Sequence, residues 1–232
     1  MSTDRSFEIT VDTTLGAPPE RVWKAVTEAE SAWMFPTDDW EAGRIINEFP
    51  RHHISRMEGP DGWFNQLEHV LTPLGEDGCR LHYVHSGIFV DNWDEQYDGA
   101  SAHTAFYLHT LDQYLRYFDG LEVAFTDIQA PAASQAPEGF TRLLDALGLD
   151  GTAKGDRPVV NLPGEGPTEV EVDYRNEHFL GLRSTDTLYR FFGRNAWGAT
   201  VGLTVHRFTT GGAAPAEVQP HEWEAFFEEA YA

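Results

Sequence analysis

The residues best placed to do chemistry share one predicted strand, CRLHYVHSGI. Strand alternation puts Cys79, Leu81, Tyr83 and His85 on one face, and Arg80, His82, Val84 and Ser86 on the other. The first set is the more aromatic and apolar, so it is the face expected to look inward. A histidine in such company can hydrogen-bond a ligand or exchange a proton near neutral pH, with Tyr83 beside it as a second polar group. The competing reading of His85 is local bonding that ties the strand end to the helix that follows.

Other polar constellations are weaker. Asp91, Asp94, Glu95 and Asp98 with His103 have the composition of a hard-metal site, but not the calcium-loop spacing of oxygen ligands ahead of a turn glycine. They read as a solvated loop entering a helix, where negative charge is favourable. His52 and His53 are adjacent, so on a strand they face opposite ways and cannot chelate together. Cys79 is the only cysteine, which removes any intrachain disulfide or cysteine cluster. No G-x-S-x-G, P-loop, dinucleotide-binding glycine pattern or H-E-x-x-H occurs. No metal and no cofactor are expected, and no catalytic residue is assigned.

These residues need elements to hold them. Phe7, Ile9 and Val11 alternate with Glu8, Thr10 and Asp12, the pattern of a half-buried strand. Pro18 and Pro19 open a short helix with an apolar stripe of Val22, Trp23 and Val26. Strands are predicted over 43–49, 52–57, 64–74 and 79–90, with GPDG and GEDG as turns. A long helix then runs through HTAFYLHTLDQYLRYF, where Leu108, Leu111, Leu115 and Phe118 form a buried stripe widened by Phe106, Tyr107 and Tyr114. A curved sheet gripping one long helix leaves an apolar cavity. Its candidate lining is Trp23, Trp33, Phe35, Trp40, Trp63, Tyr83, His85, Tyr107, Leu108 and Leu111, with ordinary core packing the alternative for each aromatic residue.

The segment 127–135, DIQAPAASQ, reads as a linker by its alanine and proline content. It divides a first domain, 1–126, from a smaller α+β unit, 136–232. In that unit Phe140, Leu143, Leu144 and Leu147 predict a helix capped by Gly148, and strands are expected around Val170–Tyr174, Leu188–Gly193 and Ala199–Phe208. The terminal PHEWEAFFEEAYA reads as an amphipathic helix carrying Trp223, Phe226 and Phe227.

The chain has 232 residues and a net charge of −22, from 38 acidic against 16 basic residues. That field repels phosphate backbones and anionic lipid, so nucleic acid and membrane surfaces are not expected partners. With no signal-like N-terminus and no run of about 20 apolar residues, a cytoplasmic location is expected.

Residues 7–118 resemble the START-like (SRPBCC) superfamily, in the branch of homologues of the activator of the heat-shock-protein-90 ATPase. The resemblance is carried by APPERVWKAVTEAE at 17–30, VHSGI at 84–88 and the closing helix with Leu108, Leu111 and Leu115. It implies an α+β helix-grip fold with an internal cavity, and functions ranging from lipid and polyketide binding through cyclisation to chaperone regulation. The leading expectation is a small apolar or aromatic ligand in the cavity. The alternatives are a protein-interaction module that regulates a chaperone ATPase, and a cyclase or hydratase using His85 with Tyr83. The segment between the first helix and GPDG is short for the branch, and Ala102, His103 and Thr104 stand where its Gly-Trp pair commonly opens the last helix.

Overall fold

A computed structural model describes residues 6–37, 44–88, 93–209, 215 and 218–232. The chain divides into two compact units, Met1–Gly120 and Leu121–Ala232.

The first unit opens with β1 (Ser6–Leu15) and α1 (Pro19–Thr27), continues through β2 (Arg44–Glu48), β3 (His52–Glu58), β4 (Phe64–Pro73) and β5 (Cys79–Ile88), and closes with α2 (Trp93–Tyr117). The sheet order is β1-β5-β4-β3-β2, with antiparallel pairing throughout. Pro19 at the start of α1 costs no helical hydrogen bond, and the helix buries Val22, Trp23, Ala25 and Val26. On α2 the residues Leu108, Leu111, Leu115 and Phe118 are buried.

Two sequence expectations are corrected here. Asp94, Glu95 and Asp98 do not precede the long helix; they lie in its first turns, because α2 begins at Trp93. Acidic side chains are stabilised at a helix N-terminus, so an acidic run opens a helix as readily as it precedes one. Asp91 lies outside the described residues. The segment 127–135 is not a linker either. Asp127–Gln129 end β6 (Val123–Gln129), an edge strand of the second sheet, and Ala132–Gln135 form a tight helical turn. Ser134 is buried there and its Oγ accepts the Val201 N–H at 3.0 Å.

The second unit runs β6, α3 (Gly139–Ala146), the hairpin β7 (Val159–Leu162) and β8 (Gly166–Glu169), then β9 (Glu171–Arg175), β10 (Phe179–Arg183), β11 (Thr187–Phe192), β12 (Gly202–Phe208) and α4 (Pro220–Ala230). Its main sheet has the order β6-β12-β11-β10-β9. That is the connectivity of the first unit repeated. The opening strand pairs with the last strand, the intervening strands meander back from it, and a helix closes the unit. Gly148, at φ +68°, ends α3 as its position predicts.

The inner core of the second unit is apolar and filled. Leu180, Leu182, Tyr189, Phe191, Leu203 and Val205 from the sheet meet Phe140 and Leu143 of α3 and Trp223 and Phe227 of α4. Elsewhere in this sheet Arg190 and Asp173 form a buried bidentate pair, both bonds 2.9 Å. A Cβ at Gly181 would stand 2.3 Å from the Asp173 carboxylate, so only glycine leaves room for that pair.

Candidate functional site

The inner face of the first sheet is set by strand alternation. On β5 it carries Leu81, Tyr83 and His85; on β4, Asn65, Leu67, His69 and Leu71. Register places Leu67 opposite His85 and His69 opposite Tyr83. On β3, His53 stands opposite His69. Facing β4 and β5 is the N-terminal half of α2, where Ala100, His103, Thr104 and Tyr107 follow the i, i+3, i+4, i+7 spacing of one helix face. The same stripe continues into Leu108, Leu111 and Leu115, which pack as solid core.

Between these surfaces lies a cavity of about 80 Å³. Its polar walls are Asn65, Tyr83, His85, His103, Thr104 and Tyr107, and its apolar walls are Met34, Phe35, Leu67 and Ala100. Phe35 meets Tyr107 edge to face, with ring centroids 5.9 Å apart.

His85 Nε2 is 2.7 Å from Asn65 Oδ1. With the carboxamide oxygen as acceptor, Nε2 carries the ring proton and Nδ1 carries the lone pair. Burial pushes the His85 pKa down to about 4, so the ring is neutral at pH 7. The Phe7 ring sits against it edge-on at 4.9 Å. Gly87, two residues on, leaves space for that ring, since a Cβ there would stand 2.8 Å from it.

Tyr83 keeps its phenol proton. Burial first, and then the neighbouring Tyr107, raise its pKa well above the usual tyrosine range, while a hydrogen bond with Thr104 works against them. His103 Nδ1 is 2.7 Å from the Gly99 carbonyl, which only accepts, so Nδ1 is the protonated nitrogen. The described lining residues therefore offer two phenols, a hydroxyl, a carboxamide and imidazole nitrogens, with no lysine, arginine or carboxylate among them.

Phe35, Tyr83, His85 and Tyr107 are thus brought together, while the other sequence candidates stand elsewhere. Trp23 packs on Phe49 and His53, with centroids 5.7 Å from each. Trp33 is buried, its indole N–H donating to the Ala25 carbonyl at 2.8 Å. Trp63 is half-buried beside Gly59, and Leu108 and Leu111 belong to the solid part of the α2 stripe. Trp40 lies outside the described residues. The binding of His85 to Asn65, a neighbour on β4, replaces the expected tie from the strand end to the closing helix.

Sequence reasoning missed Asn65, His69 and His53. His69 is 2% exposed, and burial together with His53 pushes its pKa down to about 3. The available signal was the alternation Asn65, Leu67, His69, Leu71, which assigns all four to one face. Cys79 is buried and its thiol pKa is raised by that burial, which keeps it unreactive. Among the described residues, no three histidine, cysteine, aspartate or glutamate side chains converge as metal ligands, and no helix is long and apolar enough to cross a membrane.

No protein-family model and no curated protein sequence matches the chain. Several solved structures do. DynU16, from the dynemicin biosynthetic locus, is 17% identical, with 97% of this chain and 94% of that chain covered, at a TM-score of 0.38. MLL2253 from Mesorhizobium loti is 20% identical over 49% of this chain and 99% of its own, at a TM-score of 0.40. The Aha1 dimer from Colwellia psychrerythraea is 14% identical over 49% of this chain and 99% of its own, at 0.38. The sheet order and closing helix of the first unit themselves give the helix-grip architecture of START-like proteins, an α+β fold.

Proposed function

We propose that the first unit binds a small uncharged molecule, or the uncharged polar end of a larger one, in the cavity between β4, β5 and α2. The observation that carries this reading is the Asn65–His85 hydrogen bond. It holds a neutral imidazole in one tautomer, with its lone pair available for a ligand donor. The cavity volume of about 80 Å³ is near half that of a pocket that admits benzene, about 150 Å³, and the surface its walls expose is mostly apolar. The small volume and the Asn65–His85 pair together narrow the reading to a small ligand with an apolar body and a hydrogen-bonding group. A carboxylate is disfavoured, because burying its charge opposite no cation among the described lining residues costs several kcal/mol.

The neutral state of His85 favours binding over proton transfer at pH 7, since a base with a pKa of about 4 abstracts protons poorly. The test is thermal unfolding of the full chain with acetamide, ethylene glycol and acetate. The two uncharged probes are expected to raise the melting temperature, and at 100 times its dissociation constant a bound probe adds about 2.7 kcal/mol. Stabilisation by acetate alone, or by none of the three, would overturn the reading.

A further inference from the structure

The inner face of the first sheet holds more hydrogen-bonding capacity than the cavity walls account for. His69 lies on β4 in the alternation that carries Asn65 and Leu67, both of which line the cavity. It is 2% exposed, and neither of its ring nitrogens has a hydrogen-bond partner among the described residues. A neutral imidazole presents one N–H and one lone pair, so both a donor and an acceptor are unmet. Buried polar side chains in native proteins are paired in the large majority of cases, and an exception calls for a physical reason.

Its surroundings suggest the reason. The His69 ring meets the Tyr83 ring edge to face at 5.1 Å, and Tyr83 is a cavity wall. On the other side the rings of His69 and His53 are 6.0 Å apart. Because Leu67 faces His85 and His69 faces Tyr83, His69 and His85 are diagonal neighbours across the β4–β5 pair. Such positions lie about 7–8 Å apart, within the span of a small molecule with a polar group at each end.

We propose that His69 is the inner anchor of the ligand site, and that the ligand is an uncharged bifunctional molecule carrying two carboxamide or hydroxyl groups. One group meets His85 at the cavity wall. The other passes the Tyr83 ring to meet His69. Carboxamides and hydroxyls both donate and accept, which is what a neutral imidazole with two unmet nitrogens requires. The proposal rests on the cavity reading above and adds to it the chemistry and length of the ligand.

The test uses the full chain, with malonamide as a two-amide probe and acetamide as its one-amide control, followed by the ring ¹⁵N signals of His85 and His69. Malonamide is expected to move both rings and to bind at least tenfold more tightly than acetamide, which moves His85 alone. His69→Leu should abolish the tenfold advantage while raising the melting temperature, because it replaces an unpaired buried imidazole with an apolar side chain. His69→Gln retains a donor and an acceptor and should keep part of the advantage, whether or not the leucine variant folds. If malonamide moves His85 but not His69, or if both variants keep the full advantage, the inner anchor is wrong while the cavity reading stands. If neither probe moves His85, both fail.

Discussion

The two units share one connectivity but put it to different uses. In the first, the inner-facing residues of β3, β4 and β5 include His53, Asn65, Leu67, His69, Tyr83 and His85. In the second, the topologically equivalent strands β10, β11 and β12 contribute Leu180, Leu182, Tyr189, Phe191, Leu203 and Val205. The one polar group in that second set, the Tyr189 hydroxyl, reaches both Glu165 oxygens at 2.7 Å and is satisfied within the unit. Against the second sheet, α4 sets Trp223 and Phe227, each 0% exposed. At the corresponding place α2 sets Ala100, His103 and Thr104. A grip of sheet around helix does not by itself make a binding site. Side-chain volume and polarity on the inner face decide whether the space is filled or kept open.

The largest expected effect on this contrast comes from emptying the filled unit. Trp223→Ala should cost about 3–5 kcal/mol in a urea titration, because it removes a fully buried indole from a close-packed core. Tyr107→Ala enlarges a cavity that already exists and should cost about 1–2 kcal/mol. Equal losses would erase the distinction between a filled and an open unit.

Acid should strike the first unit. His69 and His85 have native pKa values of about 3 and 4, below the ordinary 6.5. Between those values the unfolded chain binds protons that the folded chain does not. Stability is therefore complete above about pH 6.5 and declines as pH falls. By pH 5 each histidine should remove on the order of 2 kcal/mol. His69→Leu should flatten the dependence, and a pH profile unchanged by that variant would show that His69 is solvated.

Smaller effects separate the two polar networks. Asn65→Ala leaves the His85 N–H without its acceptor and should cost about 1–3 kcal/mol, with a change in the His85 ring ¹⁵N spectrum. In the second unit, Tyr231 donates to the Gly139 carbonyl at 3.0 Å. Tyr231→Phe should cost about 1 kcal/mol by thermal unfolding and leave the His85 spectrum unchanged.

The site was partly legible in the sequence, for a definite reason. His85 and Tyr83 stand on a strand whose alternation needs no partner to be read. Tyr107 shows itself by helical spacing. Asn65 and His69 obey the same alternation, but their meaning depends on which strand lies opposite, and register is fixed by turn geometry and packing rather than by residue type. His52 and His53 are neighbours in sequence but face opposite ways, and the informative neighbour of His53 is His69 across the sheet. Among the tryptophans, size and apolarity do not separate Trp33, which packs in solid core, from a cavity wall. The β6 strand was hidden because the alanine and proline content after it outweighed the pattern VAFTDIQ. The sequence has no tandem repeat, and two units need no sequence in common to share a sheet order.

The most direct test of a neutral, hydrogen-bonded site is the long-range ¹H–¹⁵N NMR spectrum of His85 in the full chain, followed from pH 7 downward. The expected result is a neutral ring protonated on Nε2, held there by Asn65, and remaining neutral until the pH approaches about 4. A ring that titrates near 6.5, or one that carries its proton on Nδ1, would contradict it.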